Sequence, residues 1–115
     1  MIDREFVDTL IDHGREDPQL EWKQQVNIHH KAGQAEFIRD VLSLVNAHGT
    51  GSRYLLIGVR DDGEVVGVEE EIDDATLQQI VSSRVEPPVD FATTYVAYDD
   101  LTIGVVEITA SSKRF

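Results

Sequence analysis

The chain contains no cysteine, so neither a disulfide framework nor a thiolate metal site can hold it together. It has three prolines and three lysines, the latter against seven arginines. No apolar run approaches the roughly 18 residues that a membrane-spanning helix needs. The opening MIDREFVDTL lacks a basic stretch followed by an apolar block, which argues against a secretory signal. The Gly49-x-Gly51 pair lacks the Lys-Ser/Thr of a phosphate loop, so the sequence carries no ATP-binding motif. No internal repeat or low-complexity segment is present. These absences point to a cytoplasmic protein without membrane contact.

What is present is one domain's worth of sequence: 115 residues, 41% hydrophobic. A chain of that size buries roughly two-thirds of its extended surface, enough for a core. Twenty-two acids face ten bases, a net charge of −12. The acids are scattered along the chain, which reads as a halophilic, archaeal type of composition that keeps a protein soluble in a salt-rich cytoplasm; the alternative is an ordinary acidic domain. The balance argues against indiscriminate DNA coating and against anionic membranes. Any nucleic-acid contact has to come from a local basic patch.

Periodicity gives the elements. Phe6, Val7, Leu10 and Ile11 form one stripe of a helix over residues 3–13, with Gly14 as its stop. A turn around Pro18 leads to a short strand, Leu20 to Lys23, with Leu20 and Trp22 on one face and Glu21 and Lys23 on the other. Residues 24–33 read as a polar loop, and His29 and His30 as solvated within it. The stripe Phe37, Ile38, Val41, Leu42, Val45 predicts a helix from about Gln34 to His48, with His48 favoured by the helix C-terminus. Tyr54 to Val59 reads as a buried central strand, Asp61-Asp62-Gly63 as a tight turn, and Glu64 to Val68 as the returning strand. Asp73 or Asp74 caps a third helix that Pro87 and Pro88 end. Two strands follow, from Val89 to Tyr98 and from Leu101 to Ile108, joined at Asp99-Asp100. The order α-β-α-β-β-α-β-β predicts an α+β domain with a mixed sheet.

Three stretches then line up in order: Glu16-x-x-x-x-Glu21-Trp22-Lys23, the helix end Asn46-Ala47-His48-Gly49-Thr50-Gly51, and the hairpin from Tyr54 to Val68 containing Ile57-Gly58-Val59-Arg60-Asp61-Asp62-Gly63. Together they resemble the Schlafen-type AlbA domain, also called divergent AlbA, over roughly residues 14–112. The departure is Thr50, which splits two glycines that the family often has side by side. The resemblance implies an AlbA-like fold that binds DNA or RNA, as the N-terminal domain of a larger regulator-type or helicase-related prokaryotic protein. It divides the chain into a preceding helix (1–13), the domain (14–112) and a tail (113–115) leading into further domains. In Schlafen proteins the fold cleaves structured RNA with three carboxylates and divalent metal. The matching residues are Glu16, Glu21 and Asp61, which would hold Mg²⁺ or Mn²⁺ and serve as the catalytic set.

Like charges in such a cluster need neutralising by a proton or a cation, and hard oxygen ligands suit Mg²⁺ or Mn²⁺. Equally, three acids among 22 can be exposed, with Asp61 a turn former. Lys23, Arg53, Arg60, Lys113 and Arg114 form a candidate phosphate-contacting rim, against the plainer reading of ordinary ion pairs. Tyr54, Tyr95, Tyr98 and Trp22 are candidates for base stacking, with Trp22 better suited to the core. Three functions are thus open: a nucleic-acid-binding domain, a metal-dependent endoribonuclease, and an assembly module whose sheet edge or helix face makes a homodimer.

Overall fold

In a computed structural model the protein is described over residues 1–13, 19–47, 51–86 and 88–109. Its elements are α1 (Arg4–His13), β1 (Leu20–Lys23), α2 (Lys31–Val45), β2 (Arg53–Ile57), α3 (Asp74–Ser82), β3 (Phe91–Tyr98) and β4 (Leu101–Ile108). The four strands form one mixed sheet in the order β1-β2-β4-β3. The β1–β2 pair is parallel; β2–β4 and β4–β3 are antiparallel.

Side chains alternate across the strands and so feed a separate core on each face of the sheet. Leu55, Ile57, Phe91, Val106 and Ile108 meet Phe37, Val41 and Val45 of α2 and Leu77 and Val81 of α3. On the other face Leu20, Trp22, Leu56, Val96, Ile103 and Val105 are covered by Val7 of α1, with Phe6, Leu10 and Ile11 around it. Burying each large aliphatic side chain stabilises the fold by roughly 1.5–3 kcal/mol, so α1 is a structural layer. It is begun by Asp3, whose Oδ1 accepts the Phe6 N–H at 3.0 Å. It is tied down by the Phe6–Tyr54 edge contact at 4.9 Å, by Arg4 lying 4.2 Å over the Tyr98 ring, and by the Arg4–Asp99 and Tyr98–Asp8 pairs.

The returning limb after Asp61-Asp62-Gly63 differs from the predicted strand. It makes a single bridge, Val59 to Val65. Both limbs bend at glycines in the left-handed region, Gly58 (φ +103°) and Gly67 (φ +78°). A side chain at Gly58 would meet the Gly67 carbonyl carbon at 2.9 Å, so the two backbones close on each other there. β2 therefore stops at Ile57, and the chain regains the sheet only where Val68 N–H donates to Thr102 O at 2.8 Å.

Two helix ends also move. α2 begins at Lys31, three residues before the predicted start, with His30 as its N-cap, and it ends at Val45. His48 and Gly14 lie outside the described residues. Asp73 occupies the N-cap of α3 without a side-chain hydrogen bond. Asp74 instead accepts the Thr93 N–H at 2.8 Å.

Candidate nucleic-acid interface

β1, α2 and β2 make a parallel strand–helix–strand unit. Its carboxyl end, where both strands stop and the crossover helix starts, is the position at which open α/β sheets accept ligands. Two segments build that crest here, 24–30 after β1 and 66–71 after the hairpin. The Gln25 side chain locks them together: its Nε2 donates to Gly67 O at 2.9 Å and its Oε1 accepts the Glu69 N–H at 2.8 Å. His29 Nε2 lies 2.9 Å from Glu70 Oε1. Gln25, Val26, Asn27, His29, Glu69 and Glu70 enclose a pocket of about 160 Å³.

Asn27 fixes the approach to α2 by accepting the His29 N–H at 2.9 Å. Gln34 Nε2 donates back to Ile28 O at 2.9 Å, and Arg84 from the end of α3 donates to Gln34 Oε1 at 3.1 Å. The first turn of α2 has no acidic residue and no side-chain cap from His30, and Lys31 opens it. The helix dipole and the first-turn N–H groups favour an anion at this end, where Lys31 and Arg84 are exposed.

β1 turns Glu21 to the same side as Lys23, toward α2, and leaves it exposed. The turn carrying Asp61 folds over the opposite face, where Gly63 lies against Trp22 and Ile11. The chain bends at Gly58, directly after β2. Glu16 lies outside the described residues. Among the described residues, no three His, Asp or Glu side chains are grouped to hold a metal ion.

Lys23 reaches α2, where its ammonium pairs with Glu36 and, at 3.1 Å, with Asp40. Burial alone would pull the Lys23 pKa down, but the hydrogen bonds to Glu36 and Asp40 outweigh it and hold the group above its ordinary value. The hydrogen bond from Lys23, aided by its charge, keeps the Glu36 carboxyl below the usual range. Arg53 is 2% exposed and faces inward. Its guanidinium donates to Ala47 O at 2.8 Å, beyond the end of α2, a helix-closing role with no access for a phosphate. Arg60 is exposed beside the Asp61 turn, and Lys113 and Arg114 lie outside the described residues.

The aromatic candidates are engaged as well. Trp22 is 8% exposed in the α1-side core. Tyr95 donates its hydroxyl to Ile72 O at 2.7 Å, Tyr54 packs on Phe6, and Arg4 covers Tyr98. Residues 24–30 form the loop that the sequence predicts, and Gln25 and Asn27, uncharged and without a period, do not mark their role in it. The available signal was positional: a polar stretch between a short strand and a helix, in a unit whose next strand is buried and parallel.

Comparison with known proteins agrees with this architecture. The family model described as Schlafen, AlbA_2 matches residues 16–115. Among solved structures, the chain is similar to the N-terminal domain of a protein from Nitrosomonas europaea named for its relation to the ATP-dependent DNA helicase RecG. The two are 19% identical with a TM-score of 0.53, over 92% of this chain and 74% of that one. No curated protein sequence matches the chain.

Proposed function

Because the chain belongs to the Schlafen AlbA_2 family, we propose that it is a nucleic-acid-binding domain of a larger protein and that the α2 crest is where it meets the phosphate backbone. One observation carries this reading. In a chain of net charge −12, the positive end of α2 coincides with Lys31 and Arg84 at the carboxyl end of the parallel pair. Phosphate contacts supply most of the non-specific affinity for polynucleotide, and helix N-termini are among the groups that make them. The relation of the structural neighbour to a DNA helicase supports the class of ligand. Acidic Glu69 and Glu70 line the adjoining pocket and limit how far the strand can spread across the crest.

The test is fluorescence anisotropy with labelled tRNA, single-stranded DNA and duplex DNA over a series of KCl concentrations. Binding is expected to weaken as salt rises. The Lys31→Glu/Arg84→Glu double variant is expected to lose about tenfold or more in affinity and to show a shallower salt slope. A flat titration at low salt with folded protein overturns the reading. So does a double variant that binds like the parent.

A further inference from the structure

We propose that the open edge of β3 receives an extended, lysine- or arginine-bearing segment of a partner protein as a fifth strand. β3 is an eight-residue edge strand at the side of the sheet opposite β1, and its outward backbone is not among the groups of the α2 crest.

The parity of its backbone follows from the ladder end. Thr109 N–H donates to Asp90 O at 3.0 Å, so even-numbered residues of β3 bond to β4 and odd-numbered ones point outward. The first outward groups are already met by side chains of α3 acting as a substitute strand. Gln78 Nε2 donates to Phe91 O at 2.7 Å, and Asp74 Oδ1 accepts the Thr93 N–H. That cover stops at Thr93. Among the described residues, the outward N–H and C=O groups of Tyr95 and Ala97 have no hydrogen-bond partner.

Edge strands are normally guarded by lysine, proline or inward-pointing charge. β3, FATTYVAY, has no charged residue and no proline, in a chain of which 28% is charged. Ala92, Thr94 and Ala97 are small and exposed, which leaves an added strand room to lie flat. The surroundings select the charge of the occupant. Glu70, Glu71 and Asp74 all bear on Tyr95; burial first, then their fields, keeps its phenol above the ordinary value. Asp99 and Asp100 close the far end, where Arg4 pairs with Asp99. A second copy of a chain with net charge −12 is repelled from such an edge, whereas a cationic segment is drawn to it.

The experiment follows backbone amide shifts and hydrogen exchange of the full chain during titration with an eight-residue alternating Lys/Val peptide. Its Glu/Val counterpart and a proline-interrupted version serve as comparisons. The basic peptide is expected to shift and protect the Tyr95 and Ala97 amides. The acidic peptide is expected to bind at least about tenfold more weakly. Ala97→Pro removes an outward N–H without touching the β3–β4 ladder and is expected to cost about tenfold or more in affinity. Thr94→Lys leaves every N–H in place, sets a like charge beside the peptide, and should also weaken binding. Unmoved Tyr95 and Ala97 amides, or equal binding of both peptides, overturn the proposal. A dimer of the chain alone that Ala97→Pro dissolves assigns the edge to a second copy and overturns it too.

Discussion

Gly33→Ala sets helix propensity against packing at one atom. Gly33 lies in the first turn of a 15-residue helix, where alanine is favoured over glycine by roughly 0.8–1 kcal/mol. Propensity alone therefore makes the variant more stable. A Cβ at Gly33, however, would stand 1.8 Å from the Asn27 carbonyl oxygen and 2.9 Å from its carbon. Real Cβ contacts do not fall below 3.0 Å, so the Asn27 backbone has to retreat by about an ångström. It is held by the Asn27–His29 and Gln34–Ile28 hydrogen bonds and by buried Val26. Overpacking of this kind costs about 1–3 kcal/mol, and each hydrogen bond broken costs about 1 kcal/mol more. Set against the propensity gain, the net destabilisation is about 1–3 kcal/mol, or a fall in Tm of roughly 4–12 °C. Urea and thermal unfolding followed by circular dichroism give the number. Ala35→Gly, at an exposed position of the same helix, should cost roughly 1 kcal/mol and shows what propensity does without a clash. A Gly33→Ala protein as stable as the parent would refute the packing argument. The same displacement moves Lys31, so weaker polynucleotide binding should accompany it.

Arg53→Met keeps the buried volume but removes the donor to Ala47 O, and is expected to cost about 1–3 kcal/mol in denaturant unfolding. Lys23→Met is expected to change how stability depends on pH. The Glu36 pKa is lowered in the folded state, so its contribution is complete above the unfolded carboxylate value of about 4.3 and is lost as pH falls through the folded value. The Lys23 pKa is raised, so its contribution is complete below about 10.4 and is lost as pH rises through the folded value. Removing Lys23 should flatten both arms, by less than about 1 kcal/mol at neutral pH because Glu36 is half exposed. Unfolding free energies at pH 3, 7 and 11 provide the check.

The sheet and its order of elements were legible because each strand advertised itself by period. Leu20 and Trp22 against Glu21 and Lys23 foretold the burial of β1, and the alternation of β3 held from Phe91 to Tyr95, beyond which Val96 is buried and Ala97 exposed. The hairpin was legible as a turn and its first limb as a strand, but the returning limb is not one. Its fate depends on Gly58 and Gly67 lying close in space, and glycine's freedom is silent about which way the chain uses it. Arg53 failed as a surface cation for a related reason: a charge next to a strand reads as exposed until the helix end that it serves is placed over it.

Composition and local pattern therefore determined the class of the fold, the two helix stripes that line its cores, and the family. Tertiary structure decided which polar groups act together. Glu21 stands on the strand face turned to α2 and Asp61 in a turn folded over the other face, while Gln34 and Arg84, 50 residues apart in the chain, meet at the start of α2. Periodicity records what neighbouring residues share along the backbone. It holds no record of distances between segments, which packing of the two cores alone fixes.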